Sequence, residues 1–387
     1  YTTAAIDSLG LPATVAQDGA NGLKVNGVTE DKSGYDMSKS SSFGFAPLMA
    51  ATWNKDLMYE VGQAFGVESL ANGISGWYAP AINLHRSMFS GRVFEYMSED
   101  PVLSGNIAAK MISGAGDQGM FCYVKHFALN ETETGRAKLS SYWADEQTMR
   151  ELYMKAFEIA IKDAKMTIKY YDADGNMTSK TMRAATAVMA AQNGVGVVAG
   201  ECNYSLLTSV LRQEWGFEGM VISDYWVWNG DNLRDYALRA GCDTYLCMNV
   251  PTMWTISDYT SATARTAMRK AIKNLCYAVA NSNAMQGMAP GAKVEVSMSP
   301  WKKVLIGLDI LVVLLVLLNI WKVVHRYKVA AEHPELFKED TKKKNVSFYL
   351  KDSSNGAISK VGEESYKIDK TAPEVENIAI DFVKGYQ

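Results

Sequence analysis

The stretch GFEGMVISDYW, residues Gly216–Trp226, decides how the rest of the chain is interpreted. Its run Met220–Ile222 predicts a short buried strand, and Asp224 falls where that strand should end. In parallel α/β proteins the functional groups lie at the carboxyl ends of the strands. A loop aspartate is more often a helix N-cap or a turn residue. The position of Asp224 alone therefore leaves both interpretations open.

Residues 1–285 alternate strand-like and helix-like segments. Strands are predicted at Leu11–Ala16, Gly76–Pro80, Met120–Val124, Ala187–Ala190, Met220–Ile222 and Thr244–Cys247. Helices are predicted at Asn54–Ala71, Leu103–Ala115, Glu146–Ala164, Leu206–Trp215 and Ala262–Asn281. Repeated β-then-α units predict a parallel barrel or a doubly wound sheet. No GxGxxG or phosphate-loop motif opens the series, which favours the barrel.

One insertion interrupts this alternation. Lys165–Met182 holds two polar, β-prone runs around an Asp-Gly turn, which predicts a hairpin. Because it lies between a helix and the following strand, we expect it on the bottom face of the barrel, away from the chemistry. Packing or contact with a partner is its expected role.

Composition excludes several classes of function. The 387 residues are 48% hydrophobic with a formal charge of -3, which does not suggest nucleic-acid binding. The five cysteines form no CxxC motif and lie largely in apolar runs, as buried free thiols do. With four histidines and no HExxH, neither a metal nor another cofactor is expected.

The C-terminal third predicts a membrane anchor. Residues 286–300 are a linker rich in small residues, and Val304–Ile320 is almost wholly apolar. Trp301 and Trp321 flank the apolar run with lysines beyond them, which is typical of a transmembrane helix over residues 301–324. A buried core helix is the alternative, and Asp309 is the one residue that argues against a span.

A polar tail over residues 325–387 follows the apolar helix and sets its expected orientation. Basic residues, including the run Lys342–Lys344, place the tail in the cytoplasm and the barrel outside. A single-pass protein of the cell membrane is expected, with the lipid bilayer as a partner.

Four polar clusters fall at or after predicted strand ends. They are Asp18, then Arg92 with Glu95, then Lys125 and His126 with Arg136 following, and then Asp224. Each has an ordinary explanation alone, such as an Asp-Gly turn at Asp18. Together they place acids, cations and a histidine around one barrel mouth, as a neutral, hydroxyl-rich ligand requires.

The motifs DGANGLK, GRVFEYMSEDP, KHFALNETETGR and GFEGMVISDYW resemble, in order and spacing, those of glycoside hydrolase family 3 of the β-glucosidase type. The resemblance covers about residues 1–285. It implies a (β/α)8 (TIM) barrel-like domain and retaining hydrolysis of terminal β-linked sugars, with a β-linked glucoside or oligosaccharide as partner. It implies Asp224 as the catalytic nucleophile. The substrate-binding positions that it implies are Asp18, Arg92, Lys125, His126, Glu95, Arg136, Met189 and Tyr225.

Three residues depart from the family pattern. Asn21 stands where a histidine is common, Gln192 where a tyrosine beside the nucleophile is expected, and Tyr225 where a tryptophan is usual. A catalytically degenerate, membrane-tethered sugar-binding or scaffold protein is therefore the alternative. A transporter or signalling protein is disfavoured, because one span without an inverted repeat makes no pathway.

The general acid/base of most family members lies on a second, α/β sandwich domain. Only a linker, an apolar helix and a polar tail follow the barrel in this sequence, and Tyr1 begins within an element. We therefore expect the chain to be the C-terminal part of a permuted protein. The sandwich domain carrying the acid/base would be its partner.

Overall fold

The computed structural model describes residues 2–25, 37–136, 140–225, 233–247, 255–288, 298–333, 344–351 and 358–366. The chain forms two compact units, Tyr1–Val294 and Glu295–Gln387. Trp226, most of the expected linker and most of the expected tail lie outside the described residues.

The first unit contains twelve strands among its described residues. They are β1 (Thr2–Thr3), β2 (Thr14–Gln17), β3 (Gly76–Trp77), β4 (Phe121–Phe127), β5 (Ser141–Tyr142), β6 (Lys165–Tyr171), β7 (Met177–Arg183), β8 (Ala187–Ala190), β9 (Gly194–Val195), β10 (Val198–Ala199), β11 (Met220–Tyr225) and β12 (Thr244–Leu246). Its α-helices span Ala46–Ala50, Lys55–Ala71, Pro101–Asp117, Glu146–Thr148, Lys155–Asp163, Leu233–Ala240 and Ala262–Ala280. Met149–Tyr153 and Ser205–Glu214 are π-helical.

The central sheet has the strand order β1-β2-β3-β4-β8-β11-β12. β1 runs antiparallel to β2, and every later neighbour pair is parallel. This is a curled parallel sheet of the TIM-barrel-like α/β type. Within the part of the chain that the structure describes, six strands run parallel. The full eightfold barrel remains a prediction.

Alternating side chains divide the core into two layers. Trp77, Val124, Val188 and Val221 point to the layer that packs against the outer helices. Their neighbours Tyr78, Tyr123, Met189 and Ile222 fill the inner face together with Ala278 and Leu275 of the helix Ala262–Ala280. Successive residues of a strand face opposite sides, so strands buried on both faces are apolar throughout, as the sequence is here.

The helix Ala262–Ala280 thus contributes side chains to the inner core layer. Its N-cap Ser261 accepts a hydrogen bond from the backbone of Ala264 at 3.2 Å, which fixes where the helix begins. Because apolar side chains fill the inner layer, the polar groups of the sheet are found at the carboxyl ends of its strands.

Two predicted strands are longer than the sequence indicates. β4 continues to Phe127 and pairs there with Ala190, and β11 continues to Tyr225 and pairs there with Leu246. Lys125, His126 and Asp224 consequently lie within the last three residues of strands and not in the loops that follow. Their backbones are held by the sheet, which limits their motion.

The predicted single helix Glu146–Ala164 is wrong in its continuity. A π-helical segment, Met149–Tyr153, separates two α-helical pieces. None of the residues before Met154 is fully buried, whereas Met154, Phe157 and Ile161 are. A π-helical turn contains an extra residue, which rotates the apolar face of the following helix, Lys155–Asp163, toward the core.

The predicted hairpin is confirmed. β6 and β7 pair antiparallel from Lys165 with Arg183 to Tyr171 with Met177. Asp172 closes the turn by accepting backbone hydrogen bonds from Asp174 at 3.0 Å and Asn176 at 2.9 Å. The hairpin enters β8 at its amino end, so it lies away from the carboxyl ends of the strands.

The second unit contains one long helix, Pro300–Glu332, and the antiparallel strands β13 (Lys344–Lys351) and β14 (Ile358–Tyr366). The helix has 33 residues, a mean hydropathy of 2.7 over its most apolar stretch, and no part of that stretch is buried. At about 1.5 Å of rise per residue, its length and composition suffice to cross a bilayer.

Candidate active site

Four strand ends bring seven charged side chains into one continuous line at the mouth of the sheet. We call this line the charge row; in order of contact it consists of Asp18, Lys125, Glu95, Arg92, Glu133, Arg136 and Asp224. Acids and cations alternate along it, so every member except the two ends has an opposite charge on both sides. Six of the seven were predicted site residues.

The Asp18 end is centred on a buried lysine. The Lys125 ammonium is 3.2 Å from Asp18 Oδ1 and 3.7 Å from Glu95 Oε2, and Glu95 also pairs with Arg92. Burial alone would raise the pKa of Asp18, but Lys125, the backbone of Gly19 and Lys24 together hold that pKa below its usual value. Asp18 is therefore an ionised acceptor for hydroxyl groups.

The Asp224 end is centred on two arginines. Arg92 Nη1 is 3.0 Å from Glu133 Oε2, Glu133 Oε1 is 2.9 Å from Arg136 Nε, and Arg136 Nη1 donates to Asp224 Oδ2. Glu133 was missed from the sequence. The signal for it was its place three residues before Arg136 in KHFALNETETGR, a spacing at which an acid and an arginine can pair.

Asp224 is only 6% exposed, and both of its oxygens are engaged. Oδ1 accepts from the backbone N–H of Tyr225 at 2.6 Å, and Oδ2 contacts Arg136 and lies 3.7 Å from His126 Nε2. Each carboxylate oxygen has two lone pairs, so these contacts fix the carboxylate without consuming all its capacity to react.

His126 is a neutral ring at the centre of the site. Burial, together with Arg92, Lys125 and Arg136, lowers the pKa of His126 well below its usual value. The Asn83 side-chain oxygen accepts from the His126 backbone at 2.8 Å and holds the residue in place. A neutral imidazole can donate a hydrogen bond to a sugar hydroxyl or to Asp224 without adding a positive charge.

Besides His126, two predicted site residues are not members of the charge row. Met189 is 2% exposed in the inner core layer, and Tyr225 touches Asp224 through its backbone. The unexpected Gln192 is also buried, and its amide donates to the carbonyl of Tyr225 at 3.0 Å. Substrate contact by Met189 and Tyr225 stays a prediction.

Two further carboxyls are buried near the site and were not anticipated from the sequence. Burial raises the pKa of Glu131 to about 7. Burial, followed by the charge of Asp224, raises the pKa of Glu201 to about 8. One oxygen of each, Oε2, has no hydrogen-bond partner among the described residues. Glu201 falls in no motif, and only its packing places it near Asp224.

A cavity of about 670 Å³ opens beside the Asp18 end of the charge row. Asp18, Arg92, Glu95 and Lys125 line one side of it, and the segment Ser41–Phe45 lines another. The site thus offers charged donors and acceptors to a small polar ligand.

A larger cleft, of about 740 Å³, lies at the amino ends of β11 and β12. Both of its arginines form ion pairs within the fold: Arg212 pairs with Asp243 at 2.6 Å, and Arg239 pairs with Asp258. We therefore place the functional site at the charge row.

Comparison with known proteins identifies the family of the chain. Residues 12–281 match the glycosyl hydrolase family 3 N-terminal domain. A beta-glucosidase from Rhizobium radiobacter is 36% identical over 66% of this chain, which is 27% of that protein. An exo-alpha-(1->6)-L-arabinopyranosidase from Bifidobacterium longum is 31% identical over 61% of this chain and 28% of its own length.

Solved structures show the same fold. Beta-glucosidase 3B from Thermotoga neapolitana in complex with glucose superposes with a TM-score of 0.60 at 31% identity, over 74% of this chain and 38% of that one. The chain spans between 20% and 31% of the length of the first curated relatives that it matches. The family match covers most of the chain, and the chain therefore belongs to glycosyl hydrolase family 3, as a bearer of its N-terminal domain.

Proposed function

We propose that this chain carries the nucleophile of a retaining glycoside hydrolase that removes terminal, non-reducing β-D-glycosyl residues. One observation carries the proposal: the charge row ends on Asp224, a strand-end carboxylate held from three sides by Arg136, His126 and the Tyr225 backbone. A nucleophile needs such fixed orientation, because misalignment at the reacting atoms costs rate steeply.

The sugar would occupy the cavity at the Asp18 end of the row. Asp18 and Glu95 would accept hydrogen bonds from its hydroxyl groups, and Lys125 and Arg92 would donate to them. Charge-assisted hydrogen bonds of this kind strengthen as the ring approaches the oxocarbenium-like transition state. The names of the relatives, which include glucosidases and an arabinopyranosidase, support a sugar as the substrate class.

In the first step Asp224 would attack the anomeric carbon while the leaving oxygen takes a proton, giving a covalent glycosyl-Asp224 intermediate. Water would then release the sugar with retention of configuration. The proton donor of the first step would come from the α/β sandwich domain, on another segment of the protein or on a partner chain. Glu131 and Glu201 are buried away from solvent and are poorly placed for it.

The helix Pro300–Glu332 would anchor the enzyme in a membrane. Its apolar stretch is exposed along its whole length, unlike a core helix. The basic residues Lys322, Arg326 and Lys328 would place its C-terminal end in the cytoplasm and the sugar site outside. Membrane fractionation of the complete protein tests this, and release by salt alone would contradict it.

The decisive experiment for the enzyme is covalent trapping. A glucoside with fluorine next to the anomeric carbon and a dinitrophenyl leaving group reacts with little need for an acid. We expect peptide mass spectrometry to find the fluorosugar on Asp224, and Asp224→Asn to prevent labelling. Labelling of a different residue would refute the assignment of the nucleophile.

The second candidate function is sugar binding without turnover. Gln192, next to the nucleophile, favours this second function. Its amide donates to the carbonyl of Tyr225, and among the described contacts it gives Asp224 no hydrogen bond. Under this function glucose binds, but no labelling occurs in the complete protein.

A further inference from the structure

The long helix Pro300–Glu332 has two polar side chains within its apolar run, and they lie toward the same side of the helix. Within Val304–Ile320 these side chains are Asp309 and Asn319. At 3.6 residues per turn, they lie about 80° apart around the helix axis. The opposite side of the run carries one glycine and three leucines, Gly307, Leu311, Leu314 and Leu318. The polar groups of the run are therefore confined to one face.

That face has the spacing of a helix–helix contact. Asp309 and Asn319 both fall on a pattern that advances by three and then four residues, which is the a and d pattern of a heptad repeat. We call this pattern the seam; it consists of Leu305, Asp309, Val312, Val316, Asn319 and Val323. A repeat of 3.5 residues keeps such a seam against a partner helix when the two helices wind around each other.

The helix itself does not satisfy these polar groups. Asp309 is exposed and forms neither a hydrogen bond nor an ion pair among the described residues. The Asn319 amide donates to the Leu315 carbonyl at 2.9 Å, and the Asn319 side-chain oxygen accepts no hydrogen bond that the structure describes. Asp309 lies three residues, or about 4.5 Å of helix rise, from the middle of the apolar run. In a bilayer this carboxyl would face hydrocarbon, which is costly without a polar partner.

A second copy of the chain supplies partners for both groups at once. Two copies inserted with the same orientation hold Asp309 at one depth and Asn319 at another, so each group meets its own equivalent across a twofold axis. Two carboxyl groups can share a proton in one hydrogen bond, and two amides can each donate to and accept from the other. A helix of a different protein would need polar groups at both of these depths.

We propose that the seam joins two copies of this chain as a parallel pair of transmembrane helices, with Asp309 against Asp309 and Asn319 against Asn319. The inference rests on the proposed membrane anchor. Polar residues at a and d positions fix the register and the number of helices, and they hold membrane helices together where apolar packing alone does not select a partner. Asp309, the one residue that argues against a lone span, thereby contributes to a paired one.

Cysteine cross-linking of the complete protein in membranes tests the seam. Val312→Cys and Val316→Cys place a thiol on the seam, and Leu314→Cys places one at a similar depth on the opposite side. All five native cysteines lie in the first unit, so the unaltered protein measures their background. With copper phenanthroline as the oxidant, we expect both seam variants to give at least about threefold more disulfide-linked dimer than Leu314→Cys, the scale of one interhelical hydrogen bond.

The role of Asp309 is tested in the Val316→Cys protein. Asp309→Leu should lower the yield of dimer by about threefold or more, although it makes the helix more apolar and so favours insertion. Asp309→Asn keeps a hydrogen-bonding side chain and should retain the dimer. An unchanged yield in Asp309→Leu overturns the proposal.

Three further outcomes separate the seam from the anchor on which it rests. Equal cross-linking from the three cysteine positions, in protein that resists extraction by alkaline carbonate, refutes the seam and leaves the anchor standing. Release of the protein by carbonate refutes the anchor and the seam together. A cross-linked product that mass spectrometry identifies as this chain joined to a different protein refutes the second copy as the occupant.

Discussion

Burial affects the carboxyls of the charge row and the two carboxyls buried near it, Glu131 and Glu201, in opposite ways. In the row, every carboxylate has a cation within contact distance, and the pKa of Asp18 falls below its usual value despite burial. Among the described residues, neither Glu131 nor Glu201 forms an ion pair, and each keeps one oxygen without a hydrogen-bond partner. Burial raises their pKa values to about 7 and about 8.

This difference shows which buried carboxyls of the site can carry a charge. Burial disfavours an ionised carboxyl unless a cation compensates for the lost solvation. The row supplies that compensation where ligands enter, and Glu201 lies where an added negative charge would compete with Asp224 for Arg136. The predictions below break one side of this comparison at a time.

The largest effect is expected from Lys125→Met, which removes the cation shared by Asp18 and Glu95. Sugar affinity should fall about a hundredfold, the scale of losing charge-assisted hydrogen bonds in a buried site. The control is Lys24→Met, which removes the other cation near Asp18, at 3.6 Å but 44% exposed. Titration calorimetry with glucose should show a loss below about fivefold for that control. Equal losses in both variants would contradict a special role for the buried lysine.

Most members of the charge row could be predicted from the sequence because they lie in motifs at or after predicted strand ends. Asp18, Arg92, Lys125 and Asp224 each follow an apolar run, and parallel strands bring such positions to one edge. Their pairing order required the structure. Glu133 joins Arg92 to Arg136 across 41 residues of sequence, and nothing in the local pattern shows which arginine an acid will reach.

Glu201 could not be found from the sequence at all. It lies in a short turn, Gly200–Cys202, after the small residues of Val198–Ala199, and its neighbourhood resembles an ordinary loop. Its burial is created by tertiary packing: the side chain of Cys202 in the same turn reaches the carbonyl of Leu233, at the start of the helix Leu233–Ala240. Conversely, the helix break at Met149–Tyr153 was missed because apolar spacing does not register a single inserted residue.

Glu201→Gln should change how stability depends on pH. The folded-state pKa lies above the unfolded value of about 4.5, so its contribution is full below that pH and is lost as pH rises through about 8. Glu201 should therefore contribute a fall in unfolding free energy of up to about 1.4 kcal/mol per pH unit between about pH 6.5 and 8. The variant should remove this contribution to the slope. Urea denaturation at several pH values measures it.

The pH range of this measurement starts at about 6.5 because His126 changes the unfolding free energy in the opposite direction below that pH. Its depressed pKa contributes stability that is present above the unfolded value of about 6.5 and is lost as pH falls. Glu60→Gln, at an exposed position on the helix Lys55–Ala71, is the control and should leave the slope in place. A Glu201→Gln variant with the wild-type slope would show that Glu201 does not hold a proton in the folded state.

Glu131→Gln sharpens the comparison, because its smaller shift should end the effect at a lower pH. Its share of the slope should fall to half at about pH 7, where the carboxyl is half protonated, and should give a difference of about 0.4 kcal/mol between pH 6.5 and 7. The same denaturation series measures this difference. A contribution that does not shrink between pH 7 and pH 8 would mean that the two carboxyls titrate as a coupled pair.

The smallest effect is expected where charges pair on the surface. Arg150 lies 2.8 Å from Glu146 and 2.7 Å from Glu214, and joins the two π-helical segments, but its side chain is 38% exposed. Solvent competes with both carboxylates for the guanidinium, so Arg150→Ala should lower the unfolding free energy by less than about 1 kcal/mol and leave sugar affinity unchanged. Denaturation at low and high salt measures it, since an exposed pair weakens with salt and a buried row does not. A fall in unfolding free energy well above about 1 kcal/mol would mean that geometry, and not burial, decides what an ion pair contributes in this fold.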